Sequence, residues 1–377
     1  MKVLLIGPHP QVGKPFSGPE ACMELFTKIF QSGGFDTISV STTRPRENRI
    51  LRLYSACQTL FEILWFIRTS QIVFLFSTNA SLKIILQVLI PLTRFWGKPL
   101  LVKKFGGRAH SDDWRVIHPP TPLPRDEAEK ITRLLKRVTL YFPETRHAFD
   151  VAQNNGIPSI WLPNFRMLPQ GDSRERKRNQ EGPFRFAFIA RVSPEKGVRE
   201  IIQTDSLLND SIQVDVYGPF DPSLGSEGIT EKNFDGLQHI RYCGILKHKD
   251  VAPTLETYDA FVFPSYYEGH PGSLIEALSV GLPVITTNRQ FINEVVDETC
   301  ALIVEAKNAE QLAEAMNRLS EDEQLCETLS QNGKDRSRFF DEEYWSRVLV
   351  DCCTRIASRE AIPDSYYVPE QLIRLFR

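Results

Sequence analysis

The chain has 377 residues, 42% hydrophobic and 24% charged, which is the composition of a soluble globular protein too long for one ordinary core. Its formal net charge of −2 conceals an asymmetry: residues 1–170 carry 22 Lys and Arg against 12 Asp and Glu, and the remainder carries 23 against 35. A basic half joined to an acidic half implies that the first half meets something anionic.

Taken in order, Lys2 to Gly7 reads as a buried strand and Gly18 to Gln31 as an amphipathic helix stopped by Gly33-Gly34. Asp36 to Val40 is a strand, Arg49 to Ile67 a long helix, Ile72 to Phe76 a fully apolar strand of the parallel kind, Ala80 to Phe95 a helix and Pro99 to Lys104 a strand. A long loop, Phe105 to Pro124, precedes helix Arg125 to Arg137, strand Val138 to Phe142, helix Thr145 to Asn155 and strand Ser159 to Leu162. The polar, charge-dense stretch 171–182 is a linker.

The pattern then restarts. Phe184 to Ala190 is a strand, Lys196 to Leu208 a helix, Val214 to Tyr217 and His239 to Tyr242 strands, and His248 to Tyr258 a helix. Phe261 to Phe263, Ser273 to Val280 and Val284 to Thr286 form strand, helix and strand around a loop; Ala301 to Val304 is the last strand. Helices over 309–319, 321–333 and 340–356 follow, with a mixed tail from Glu360. Alternating strands and helices in two halves give an α/β protein with two doubly wound domains: 1–168, a linker 169–183, 184–345, and a C-terminal helix and tail 346–377 that packs back on the first domain.

The opening residues 1–7 are too short an apolar run for a signal peptide, and no apolar run reaches the roughly 18 residues of a membrane span. The seven Cys show no CxxC pair and no zinc-type His spacing, which fits a reducing cytoplasm and implies no structural metal.

Two stretches carry chemistry. Between the strands at 261–263 and 284–286, Glu268-Gly269-His270-Pro-Gly272-Ser273-Leu274-Ile-Glu276 sets two carboxylates around a glycine-opened helix start, where free amides and the helix dipole favour an anion. Carboxylates flanking an anion seat suit a ligand with a diphosphate between two sets of hydroxyls. Further upstream, Arg191 and Lys196 bracket a Pro-bearing turn that leaves the first strand of the second half, a fork of donors and a point charge able to meet one diphosphate.

Glu268 to Glu276 resembles the Glu-x7-Glu element of family 4 of the retaining glycosyltransferases, and Arg191-Val-Ser-Pro-Glu-Lys196-Gly197 resembles that family's Gly-Arg-x-x-x-x-Lys-Gly turn, with Ala190 in place of the first Gly. The resemblance implies a GT-B fold, two Rossmann-like domains facing a cleft, and a nucleotide-sugar donor bound by the second domain without a metal or other cofactor. It implies that Arg191 and Lys196 neutralise the departing diphosphate, Glu268 holds donor-sugar hydroxyls and Glu276 the ribose, with Gly269, His270, Gly272, Ser273 and Leu274 around them. Neither Glu is a nucleophile on this reading; a diphosphate oxygen takes the acceptor's proton. In the first half, Gly18 lies where the family has a Gly-Gly turn near the donor phosphate, residues 105–113 where it has a loop facing the reacting sugar, and Pro163-Asn164 resembles its Pro-Asn element. Implied partners are a nucleotide sugar and a saccharide or lipid-linked acceptor, with no nucleic acid. The setting is surface polysaccharide or glycolipid assembly. A sugar-nucleotide epimerase of the same fold and a silent sugar-nucleotide-binding subunit are the alternatives. The basic first half adds the expectation of a cytoplasmic protein held on the inner face of an anionic membrane. That attachment is expected to be largely electrostatic, because most apolar side chains of helices 49–67 and 80–95 fill their sheet-facing sides.

Overall fold

A computed structural model describes residues 1–9, 18–43, 49–105, 125–168, 182–221, 228–266, 268–289, 291–363 and 366. The expected loop over 106–113, most of the linker and most of the tail lie outside the described residues. The chain divides into two compact units, 1–163 with 343–377, and 164–342.

The first unit holds a five-stranded parallel sheet of β1 (Lys2–Gly7), β2 (Asp36–Ser41), β3 (Ile72–Thr78), β4 (Leu100–Phe105) and β5 (Leu140–Phe142), in the order β2-β1-β3-β4-β5. β1 and β3 are central, buried on both sides, and accordingly read as unbroken apolar runs. Alternation along β3 splits its side chains between two layers. Phe74 and Phe76 meet Phe26 of α1 (Gly18–Ser32) with ring centroids 5.9 and 5.1 Å apart. Val73 and Leu75 share a core with Ile63 and Ile67 of α2 (Arg49–Ile67), Leu82, Leu86 and Leu89 of α3 (Asn79–Phe95) and Ile131 of α4 (Arg125–Leu135). After α5 (Arg146–Asn154), capped by the Thr145 side chain on the Ala148 amide, the run Ser159 to Leu162 does not become the expected strand. Only Ser159 bridges Tyr141: the Ile160 amide bonds to the Tyr141 carbonyl and the Leu162 amide to that of Pro143, both at 3.0 Å, but Pro143 has no N–H to return to the Ile160 carbonyl, so the ladder stops. The Leu162 carbonyl accepts from the fully buried Lys103 ammonium at 2.7 Å, and burial pushes the Lys103 pKa below its ordinary value.

The second unit holds a six-stranded parallel sheet of β6 (Phe184–Ile189), β7 (Ile212–Tyr217), β8 (Ile240–Tyr242), β9 (Ala260–Phe263), β10 (Val284–Thr287) and β11 (Ala301–Val304), in the order β11-β10-β9-β6-β7-β8. The winding reverses between β6 and β9, so the crevice rule for such sheets points to the carboxyl ends of those two strands. The helix expected over 196–208 is broken. A 3-10 turn, Pro194–Lys196, ends at Gly197, whose φ of 74° no helix continues, and α6 (Val198–Thr204) starts afresh. The remaining helices are α7 (His248–Leu255), α8 (Gly272–Ser279), α9 (Ala309–Glu321) and α10 (Glu323–Ser337), with α11 (Glu342–Ser358) following. Among the described residues no helix is long and apolar enough to cross a membrane.

Candidate functional site

The turns after β6 and β9 are built against each other. The Tyr266 amide donates to the Glu195 carbonyl at 3.1 Å, and the Ser265 hydroxyl donates to the same oxygen at 3.3 Å. The Ser265 carbonyl in turn accepts from the Thr287 hydroxyl at the end of β10. Gly197 approaches the β9 turn so closely that a Cβ would stand 2.2 Å from the Pro264 carbonyl oxygen. Positive φ and this contact together require glycine there. Gly218, after β7, is equally confined: a Cβ would stand 1.7 Å from the Ala190 carbonyl oxygen.

On this frame the Lys196 ammonium donates to Glu268 Oε1 at 2.8 Å, with both side chains largely buried. The two stretches singled out from sequence therefore meet at the switch point through one ion pair. Arg191 turns elsewhere; its Nη1 donates to Asp221 Oδ2 at 3.0 Å, and it is 55% exposed. An exposed arginine in a long-armed pair is free to exchange that partner for a ligand anion at little cost.

Glu276 is held from a direction the sequence did not show. Arg166 Nε donates to Glu276 Oε1 at 2.6 Å, and Arg166 Nη1 to the Phe165 carbonyl at 2.9 Å. The guanidinium lies across the first residue of α8, so a Cβ on Gly272 would meet its Nη2 at 1.7 Å. The neighbouring Asn164 amide donates to the His270 carbonyl at 2.8 Å, tying the Pro163-Asn164 element to the Glu268–Glu276 loop. Arg166 and Glu276 are 110 positions apart, so no spacing rule could pair them. The available signal was a cation two residues after Asn164.

α8 opens at Pro271, and the Ile275 amide is the first to bond back along the helix, to the Pro271 carbonyl at 3.4 Å. The amides of Gly272, Ser273 and Leu274 precede it and have no acceptor within the helix, which makes this end an anion seat. Leu274 itself is fully buried core, and His270 is buried with its ring 5.3 Å from that of Phe340. Gly269 lies half-buried in the loop. Gly18, by contrast, starts α1 in the first unit.

Behind the loop, Lys307 adopts φ 64° and holds its ammonium 5.2 Å from the Tyr266 ring centroid. Burial, and next the charge of Glu200, push the Tyr266 hydroxyl up to about 12. Burial also pushes the Glu200 carboxyl up, offset only in part by a backbone hydrogen bond and then by Lys307 and Arg199, and its Oε2 is buried without a hydrogen-bond partner among the described residues. The most densely bonded titratable cluster lies elsewhere. Asp215 on β7, 1% exposed, accepts from Arg185, Arg241 and Tyr258 of its neighbours. Burial alone would raise its pKa, but these bonds hold it below the usual carboxylate range. Cross-strand ties inside a sheet are structural. Among the described residues no three His, Cys, Asp or Glu side chains gather as a metal site.

A doubly wound sheet whose switch-point turns carry an ammonium, two carboxylates and an open helix end has its polar groups where such α/β units take a ligand. Residues 170–336, which fall inside the range of the second unit, match the family described as glycosyl transferases group 1. The capsular polysaccharide biosynthesis glycosyltransferase CapM of Staphylococcus aureus is 30% identical over 173 residues, 44% of this chain and 44% of that one. The N,N'-diacetylbacillosaminyl-diphospho-undecaprenol alpha-1,3-N-acetylgalactosaminyltransferase of Campylobacter jejuni is 30% identical over 41% of this chain and 40% of its own length. The aligned stretch thus spans less than half of these relatives. Over nearly the whole chain the fold is that of sucrose-phosphate synthase from Thermosynechococcus elongatus, with a TM-score of 0.74, 16% identity, and 95% and 100% of the two chains covered. Anabaena HepE, solved with UDP and glucose, gives 0.69 at 14% identity over 94% and 99%. The fold class is GT-B, two parallel-sheet α/β domains, as the sequence led us to expect.

Proposed function

We propose that the protein is a retaining glycosyltransferase that moves a sugar from a nucleotide-sugar donor to a hydroxyl of a saccharide or lipid-linked acceptor in surface polysaccharide or glycolipid assembly. The observation that carries this reading is the junction of Lys196 with Glu268 at the reversal point of the second sheet, beside the open end of α8. The group 1 match over 170–336 and relatives named for capsule and lipid-linked oligosaccharide synthesis support transfer over epimerisation or silent binding.

The acceptor oxygen bonds to the anomeric carbon while the bond from that carbon to the diphosphate oxygen breaks. The acceptor's proton passes to a diphosphate oxygen, and nucleoside diphosphate leaves. The barrier lies in charge building on the diphosphate. Lys196 and the amides of Gly272, Ser273 and Leu274 are fixed donors for it, already paid for by folding, and the exposed Arg191 exchanges Asp221 for it. Glu268 accepts from donor-sugar hydroxyls and Glu276, steadied by Arg166, from the ribose; Gly269 and His270 shape the loop between them. Protein cations supply the counter-charge, so no step is routed through a metal or other cofactor. The first unit, with Gly18 at its own switch-point turn, recognises the acceptor. The protein works in the cytoplasm, at the inner face of an anionic membrane when the acceptor is lipid-linked.

A calorimetric titration of UDP, GDP and ADP sugars, followed by assay of nucleotide release, tests the reading. Binding of one class with slow release that an acceptor extract accelerates is expected. Interconversion of free sugar nucleotides, or tight binding with no release under any condition, would overturn it.

A further inference from the structure

We propose that the outward faces of α2 and α3 form a salt-resistant docking surface for an anionic lipid bilayer. The inference rests on the reading above only in that a lipid-linked acceptor gives the surface its use. Both helices bury one side in the sheet: Ile63 and Ile67 of α2, Leu82, Leu86 and Leu89 of α3. A globular protein would make the other side polar. Here it is apolar again. Leu51, Tyr54, Phe61 and Trp65 are 52%, 68%, 66% and 62% exposed, and their spacing of three, seven and four places them on one stripe of α2. On α3, Ile84 and Phe95 are 63% and 81% exposed, eleven positions apart and so on one stripe as well. Of the thirteen exposed large apolar side chains among the described residues, nine belong to these two helices. The Phe61 and Trp65 rings stack on each other at 6.4 Å, presenting one aromatic slab to solvent.

Charge decides the occupant. Residues 49–98 contain six Lys and Arg, of which Lys83 is paired with Glu127 of α4 at 2.7 Å, and a single acidic residue, Glu62, whose carboxylate already accepts from Gln58 at 2.9 Å. Arg68 and Arg94 are exposed at the ends of the two helices. A second copy of the chain docked face to face would set cations against cations with no acidic complement. An anionic bilayer offers what both parts of the face need: phosphates for the arginines and an acyl boundary for tryptophan, tyrosine and phenylalanine, whose amphipathic rings favour that depth. Neither helix spans a membrane, so the mode is in-plane. To the largely electrostatic attachment expected from sequence, these exposures add an apolar part. Screening, which shortens the Debye length from about 10 Å at 0.1 M salt to about 3 Å at 1 M, would remove only the arginine part.

Co-sedimentation of the full chain with phosphatidylcholine vesicles, with and without phosphatidylglycerol, at low and high salt, tests the proposal. The wild type is expected to prefer anionic vesicles and to keep a bound fraction at high salt. Phe61→Ser with Trp65→Ser should abolish that fraction, with affinity falling about tenfold or more. Arg68→Glu with Arg94→Glu should abolish the anionic preference. Thermal melts and nucleotide release from free donor should match wild type in both variants. Equal sedimentation of wild type and Phe61→Ser/Trp65→Ser, or no binding by wild type together with a dimer that this variant dissolves, would overturn the proposal. Loss of donor turnover with vesicle binding intact would count against the transferase reading and support docking.

Discussion

In the second unit the turns after β6, β9 and β10 are tied to one another by the Glu195, Ser265 and Thr287 hydrogen bonds, and Lys196 and Glu268 hang on that frame. In the first unit, wound by the same rule, the described surface with unusual chemistry is the outer side of two helices, and the strand ends are occupied by core matters such as Lys103 and Leu162. The difference teaches that a doubly wound sheet has two independent places for function. Strand-end turns can be fixed by backbone bonding and so hold preorganised charge. Outer helix faces contribute nothing to the core and are free to meet a large, soft partner.

The sharpest test of that division is Lys196→Ala. Removing one preorganised donor to the departing diphosphate should lower turnover about 10²–10³-fold, about 2.7–4 kcal/mol, while vesicle binding stays at the wild-type level. Steady-state nucleotide release and co-sedimentation read the two arms. If vesicle binding fell with turnover, the two places would not be independent.

Gly272→Ala probes the frame more gently. The new Cβ would stand 1.7 Å from Arg166 Nη2, so the guanidinium must leave Glu276. Nucleoside diphosphate affinity, followed by calorimetry, should fall about fivefold to tenfold, the worth of about 1–1.4 kcal/mol for one charge-assisted contact. Wild-type affinity would show that Glu276 needs no help from Arg166.

How much of this could be read from the sequence follows from the same contrast. The Glu268–Glu276 loop and the Arg191–Lys196 turn were legible because each is local: strand, glycine and charge within ten residues. Both sheets were legible because parallel strands buried on two faces, like Val73 to Phe76, leave no polar alternation. Arg166 was not legible, since its role comes from a contact 110 positions away. The break at Gly197 was missed because an apolar helical period continues across it in Val198, Ile201 and Ile202, and only the approach to Pro264 reveals the turn. The run Ile160 to Leu162 was misread because full burial looks alike in a strand and in a connector, and the missing donor is on the partner segment, at Pro143. The outer stripe of α2 was not singled out for a related reason: composition cannot say which apolar side faces in.

The smallest expected effect lies behind the site. Glu200 has its carboxyl raised by burial, so protonation favours the folded state. The resulting stability is fully present below the ordinary carboxylate value and is lost as pH rises through the raised one. Glu200→Gln should remove that slope, giving a melting temperature that falls less between weakly acidic and neutral pH than in wild type. Parallel curves for the two proteins in scanning calorimetry would mean that Glu200 ionises normally.

On the proposed function, Gly197 has a bearing on how the protein changes over generations. With its α-carbon pressed against the Pro264 carbonyl, the turns after β6 and β9 behave as one inherited block: a side chain gained in one collides with the other, and an inserted residue misplaces both. Drift toward a new donor is therefore channelled into turns outside that block, such as those after β8 and β11, where length and sequence can vary without disturbing the reacting groups.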